Sequence, residues 1–248
     1  MNHAFPCGTL ALDFLGTLRA RRNPVPAEKL GTPELLDDWF VESGMFDAAP
    51  HADKADLTAA LELRESLYAL VEDRLGGRAA LAALAEAGPG GPGAPVTSGG
   101  PVATAPHADP APHADPAALA APAALAAAVA VLNRYAAAPP VVVQLGVDGA
   151  GSAGGIENAA TRRSGSAAQG LAAVAREAVE ILGGPDAALL RECGRPECTQ
   201  VYLDRSRGHR REWCAMRTCG NRVKVSAYRS RHRTAPAPTP SATSTTHA

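Results

Sequence analysis

Cys193 to Arg233 reads CGRPECTQVYLDRSRGHRREWCAMRTCGNRVKVSAYRSRHR, and it holds four of the five cysteines of the chain as Cys193-x4-Cys198 and Cys214-x4-Cys219, with fifteen residues between the pairs. Two chelating pairs separated by a length that a hairpin can span have the arithmetic of a metal site. Four thiolates close a tetrahedron around zinc at about 2.3 Å and leave no position for water or substrate, so one structural Zn2+ on Cys193, Cys198, Cys214 and Cys219 is expected. The other pattern, two disulfides, needs an oxidising compartment. The N-terminus carries no basic leader and its apolar run is broken by Asp13, so no export signal is read and a reducing cytoplasm is the expected location.

The residues around these cysteines carry a resemblance. Tyr202-Leu203-Asp204-Arg205-Ser206-Arg207, then Trp213-Cys214-Ala215-Met216 and Cys219-Gly220-Asn221-Arg222, are similar to the bacterial CGNR zinc-finger family. Its members commonly carry an N-terminal ABATE domain, and Leu10 to Thr17 (LALDFLGT) resembles one. The pattern there is close to Asp-Phe-x-Asn-Thr; this chain has Asp13, Phe14 and Thr17, with Gly16 in place of the Asn. The resemblance implies a stress-related transcription regulator with a DNA-binding finger.

Charge divides the chain in the same place. Residues 191–233 hold twelve Arg or Lys against four acids, whereas the first 190 residues hold twelve against twenty-one. The net charge of −1 therefore hides an acidic body and a basic module, the asymmetry expected when one module meets an anionic partner. The longest uncharged helical stretch, Ala117 to Leu132, is mostly alanine and contains Pro122, so it is too short and too weakly apolar to span a bilayer.

The pattern predicts a mainly α fold with a small β-hairpin: a helical domain over 1–190, a finger (hairpin plus helix) over 191–233 and a disordered tail over 234–248. A first helix is expected from Gly8 to Arg22, ended by Asn23-Pro24-Val25-Pro26. Thr32-Pro33-Glu34 reads as N-cap, first-turn proline and acid, opening a helix that Gly44 stops. From Asp53 to Leu75, the residues Leu57, Leu61, Arg64, Tyr68, Val71 and Leu75 form an amphipathic stripe. Arg64 on that stripe requires a carboxylate, for which Asp13 is the candidate. Asp13, Thr17 and Arg64 are then either an internal ion pair pinning two helices or the polar lining of a small-molecule effector pocket. Residues 88–122, rich in Pro, Gly and Ala with a repeated Pro-His-Ala-Asp-Pro, read as a disordered insert. Ala123 to Ala137 returns to helix, Val141 to Leu145 begins a hairpin returning near Ile156, and Gly149 to Gly155 lacks the Lys-Ser/Thr of a P-loop. Ala167 to Leu182 is helical and leads through Pro185-Asp186 straight into Cys193.

In the finger, Thr199 to Asp204 reads as a strand, Arg211 to Cys214 as its returning partner, and Asn221 as the N-cap of a helix to His232. At 100° per residue Arg222, Ser226, Arg229 and Arg233 fall within about 60° of one another, a basic face suited to the major groove of double-stranded DNA. Lys224, Arg231, Arg205, Arg207, Arg210 and Arg211 would flank it as phosphate contacts. One or two arginines, Arg222 first, are expected to offset the −2 charge of zinc with four thiolates. Val201, Tyr202 and Trp213 read as the finger's own core. No nucleophile with its base and no open metal position is visible, so no enzyme is read here. A protein-docking module with a purely structural zinc, or RNA binding, are the alternatives, and the helical domain has signal sensing or homodimerisation as its roles.

Overall fold

A run of aromatic rings in mutual edge or tilted contact sets the centre of the helical domain in the computed structural model, which describes residues 3–87, 116–147, 159–195 and 197–233. Ring centroids lie 6.1 Å apart for Phe5 and Trp39, 5.1 Å for Phe14 and Trp39, 5.6 Å for Trp39 and Phe40, and 5.4 Å for Phe40 and Phe46. Phe14 comes from α1 (Leu10–Leu15) and the next two from α2 (Pro33–Glu42). Gly170 lets α5 (Ala167–Gly183) approach this cluster, since a Cβ there would sit 2.5 Å from the Phe40 ring.

The first helix is shorter than expected, and its ends explain why. The Thr9 hydroxyl accepts from Leu12 N, and the Glu177 carboxylate accepts from Ala11 N at 2.6 Å. At the other end Thr17 donates both its amide (3.0 Å) and its hydroxyl (2.6 Å) to Phe14 O, a local bond that competes with helix propagation. The chain turns instead into β1 (Leu18–Arg19), which pairs antiparallel with β2 (Ala27–Glu28), Leu18 opposite Glu28. Asn23 to Pro26 thus belongs to the tip of a hairpin.

Helix α2 starts as read, with Thr32 as N-cap and Pro33 in the first turn, and Gly44 beyond its end takes φ 75, a value that favours glycine. Helix α3 (Lys54–Ala87) is opened by Asp53, whose carboxylate accepts from the Ala55 and Asp56 amides while Asp56 accepts from Asp53 N. Its deepest apolar side chains are Ala60, Leu63, Leu67 and Val71; Leu57, Leu61, Tyr68 and Leu75 lie partly covered at their flank. Helix α4 (Pro116–Ala136) begins before Ala123 and includes residues 116–122, assigned above to the insert; the histidine repeats lie outside the described residues. It is tied to α3 by Arg134 and Tyr135, which both donate to Glu62. Strands β3 (Val142–Val147) and β4 (Ala159–Ser164) pair antiparallel as a hairpin; Gly149 to Gly155 and Ile156 lie outside the described residues. Helix α5 carries the Ser166/Gln169 capping box. No helix among the described residues is long and apolar enough to cross a membrane.

After a 3-10 turn at Pro185–Leu189, β5 (Leu190–Glu192) pairs antiparallel with β6 (Val201–Leu203), Leu190 opposite Leu203. The strand within Thr199 to Asp204 therefore pairs backward with the residues that leave the helical domain, and Arg211 to Cys214 is not a strand. This hairpin rests on α1 and α3, and Leu190, Val201, Tyr202 and Leu203 join the same apolar core as Leu63, Leu67 and Phe14. Helical domain and finger share one core.

Arg64, 3% exposed, does not meet Asp13. Both its terminal nitrogens donate to Glu28 at 2.7 Å, its Nε donates to Glu65 at 2.8 Å, and Nη1 reaches the Thr17 hydroxyl at 3.3 Å. Asp13 is engaged elsewhere, accepting from Cys7 N at 2.9 Å, while the β1–β2 register brings Glu28 to Arg64. Burial works to raise the pKa of Glu28, but the bonds from Arg64 and from the Leu30 and Lys29 amides together outweigh it and hold the carboxyl below the ordinary 4.5; Glu65 is lowered in the same way, against burial, by Arg21 and Arg64. A depressed carboxylate contributes stability that is present above the unfolded value and lost as pH falls through the folded one. Asp13 and Glu177, raised chiefly by burial, act in the opposite sense. Glu28→Gln is expected to cost about 1 to 2 kcal/mol at neutral pH, allowing for the partial exposure of Glu28, and urea melts at stepped pH should show the difference from wild type closing below roughly pH 4.

Candidate zinc centre and basic face

Cys193 follows β5 directly, and its amide continues the ladder by donating to Gln200 O at 2.9 Å. Cys198 N turns back to Arg195 O at 2.8 Å, and Gly194 N donates to Glu212 O at 2.8 Å, which draws the second cysteine segment onto the first. The amides of Arg195 and Cys214 point at the Cys193 sulfur and that of Gln200 at the Cys198 sulfur. Beyond Cys214 the chain makes a wide π-turn over Met216–Gly220, closed by Gly220 N to Ala215 O at 3.1 Å, and returns Cys219 beside Cys214.

All four sulfurs lie within 4.8 Å of one another, with 3.6 Å between Cys214 and Cys219 and 3.9 Å between Cys198 and Cys214. A tetrahedron with zinc–sulfur bonds of about 2.3 Å has edges of about 3.8 Å, so the spacing fits the ion; a disulfide would need about 2.0 Å. All four are free cysteines. The Cys198 thiol is pushed down, first by the hydrogen bond from Cys214, and Cys214 is pushed up by that same bond and by burial. Crowded sulfurs resist carrying several negative charges together, and a divalent cation removes that resistance. Residues 190–232 match the CGNR zinc finger, and residues 8–129 match the ABATE family, whose description is "Putative stress-induced transcription regulator". The chain belongs to the CGNR zinc-finger family with an N-terminal ABATE domain. Among curated proteins none matches it.

Within the CGNR finger the arginines divide by what they touch. Arg195, not Arg222, is the cation bonded to sulfur, with Nη1 3.9 Å from the Cys219 sulfur and Nε 2.8 Å from Glu197. Arg211 is taken out of the expected phosphate contacts: it donates to Trp213 O at 2.7 Å and to Cys214 O, and its guanidinium lies 4.4 Å over the Tyr202 ring. It clamps the second cysteine segment onto the finger core, in which Tyr202 is fully buried. Sequence reasoning missed the organiser of the intervening loop. Asp204, also fully buried, accepts from Ser206 N at 3.0 Å, Ser206 Oγ at 2.6 Å and Arg211 N at 3.1 Å. Burial works to raise its pKa, and these bonds outweigh it and hold it low. An acid ending an apolar strand and followed two residues later by serine is the signal that was available. Arg205 pairs with Asp186 at 2.6 Å, and Arg207 and Arg210 stand exposed at the loop tip.

Helix α6 (Asn221–Arg233) grows out of the π-turn. Asn221 is already helical (φ −66, ψ −37) and its amide bonds back to Met216 O and Thr218 O, so it is not an N-cap. Arg222, Ser226 and Arg229 line one groove, as the 100° spacing predicts, together with Arg217 from the π-turn, which the reading of the helix alone omitted. Lys224 is exposed, and Arg231 and Arg233 continue the helix in its last turn, where only the backbone is described.

Of Asp13, Thr17 and Arg64, the structure brings the first two together: with His3, Arg19 and Lys29 they line a cavity of about 190 Å³, whereas Arg64 bonds Thr17 but is not in that lining. Gly16, where the family pattern has Asn, is met by the finger: a Cβ there would lie 2.4 Å from Nε2 of Gln200, a buried residue that donates to the Cys7 sulfur at 3.3 Å. Gly16→Ala should therefore cost about 1 to 2 kcal/mol by displacing Gln200, and in denaturant melts its combination with Gln200→Ala should cost clearly less than the sum of the two.

Metal analysis of the purified chain is expected to find one zinc per chain. Cys214→Ser should abolish it, and because the finger shares the core of the helical domain, the loss should lower the melting of the entire chain; closing four ligands supplies folding free energy of order 10 kcal/mol in small fingers.

Proposed function

We propose that this protein is a zinc-dependent, duplex-DNA-binding transcription regulator of the cytoplasm. In this reading α6 enters the major groove and the ABATE domain senses a small molecule or mediates homodimerisation. The observation that carries the reading is the state of α6. From Asn221 to Ser230 every side chain is exposed except the partly covered Val223, none is acidic, and Arg222, Ser226 and Arg229 share one groove with Arg217. A helix of thirteen residues with so little packing is marginal in water, and a string of like charges is stabilised by a polyanion that releases its counterions on binding. The zinc centre anchors only its first turn. Arg229, on that groove beyond the first turn of α6, can donate two parallel bonds to guanine, whereas Lys224, Arg207 and Arg210 supply sequence-independent phosphate contacts.

The two roles separate by mutation. Arg229→Ala should cost about 1 to 3 kcal/mol on a preferred duplex and relax the preference, while Lys224→Ala weakens all duplexes alike and lowers the slope of log K against log salt by about one. Fluorescence anisotropy with duplex DNA and RNA checks this, with zinc content and circular dichroism confirming the fold. Arg229→Ala binding as wild type does would remove the recognition role of α6, and tighter binding to RNA than to duplex DNA would replace the partner.

A further inference from the structure

The β1–β2 hairpin carries three arginines, and they are not used alike. Arg21 donates to Glu65 at 2.6 Å, lies 4.0 Å over the Tyr68 ring, and its amide donates to Thr199 Oγ1 at 3.2 Å. Arg22 pairs with both oxygens of Glu192. These contacts fasten the hairpin to α3 on one side and to the finger on the other. Arg19 has no such partner: its Nε donates to Gly16 O at 3.1 Å, and no carboxylate lies within ion-pair distance among the described residues.

Arg19 opens onto a notch of about 230 Å³ between hairpin and finger, shared with Asn23, Arg195, Glu197, Thr218 and Arg222. The one carboxylate there is bonded to Arg195, which also serves the Cys219 sulfur. Cys198 and Cys219 belong to the same lining, so the zinc centre forms one wall of the notch, and no free carboxylate is left there for Arg19 and Arg222, which share one small space. Two guanidinium groups with an amide and a hydroxyl beside them match the oxygens of a phosphate. Arg222 also lines the groove along α6, so the notch and the basic helix face are continuous. We propose that the β1–β2 hairpin is a second nucleic-acid contact, in which one backbone phosphate lodges between Arg19 and Arg222 while α6 lies in the groove. The inference rests on the DNA-binding reading above. It makes the ABATE domain a direct partner of the nucleic acid, and it ties the hairpin held by Arg64 to occupancy of the DNA.

The test uses the full-length zinc-loaded chain and a labelled duplex in anisotropy titrations at several salt concentrations. Arg19→Ala is expected to weaken binding about five- to thirtyfold on every duplex sequence and to lower the salt slope by about one, because it removes one phosphate contact. Lys54→Ala, the same charge change at an exposed position away from the notch, should leave both unchanged. Since Arg19 also bonds Gly16 O, Asn23→Asp gives a separate reading: a carboxylate at the rim should weaken binding by about tenfold or more through repulsion of the phosphate. Wild-type affinity and slope in both Arg19→Ala and Asn23→Asp would overturn the second contact while leaving α6 as the reader. Wild type without affinity for any duplex at low salt would instead remove the DNA-binding reading itself.

Discussion

Four sulfurs held within 4.8 Å of one another are the constraint from which the finger follows, because that many thiolates stay together only around a cation. Each segment of the finger is placed by its cysteine. Cys193 closes the β5–β6 ladder, Cys198 sits on a turn whose amides face sulfur, and the π-turn between Cys214 and Cys219 becomes the first turn of α6. A helix with almost no packed face is thereby fixed in direction by the metal at its root. The cluster also reaches inward, since Cys193, Cys214 and Cys219 belong to the apolar core that contains Leu63 and Phe14.

The helical domain answers this with contacts of its own. Arg64 holds Glu28, Glu28 holds the β1–β2 hairpin, and the hairpin holds the finger through Arg21 to Thr199 and Arg22 to Glu192. Gln200 completes the arrangement from the finger side by filling the space over Gly16 and bonding Cys7. Two routes therefore join the ABATE motif to the zinc centre, one through ion pairs and one through packing. A change at the motif has a physical path to the orientation of α6, as the proposed sensing role requires.

What could be read from the residues, and what could not, divides by the range of the interaction. The cysteine spacing, Thr32-Pro33 and the basic face of α6 are local patterns, and each reappears in the structure. The β1–β2 hairpin is invisible to periodicity because its strands are two residues long, and Asn23-Pro24-Val25-Pro26 reads equally as the end of a helix or the tip of a turn. The pairing of β6 with β5 rather than with Arg211 to Cys214 is decided by Leu190 and Leu203 entering the shared core. The stripe on α3 announced that Arg64 needed a carboxylate, but Asp13 and Glu28 were both acids at a distance, and only the fold of the hairpin chooses between them. Arg195 and Arg211 looked like any others among twenty-one arginines, and their attachment to sulfur and to Tyr202 is purely three-dimensional.

In the proposed function zinc holds α6 in place for a nucleic-acid partner, and the deciding measurement is a titration of labelled duplex DNA with the full chain at two salt concentrations, before and after zinc is withdrawn by a chelator and then restored. Salt-dependent binding by the zinc-loaded chain is expected, with loss of most of that affinity when zinc leaves and recovery when it returns. Binding that is indifferent to zinc, or no binding to duplex DNA at low salt by the zinc-loaded chain, would contradict the proposal.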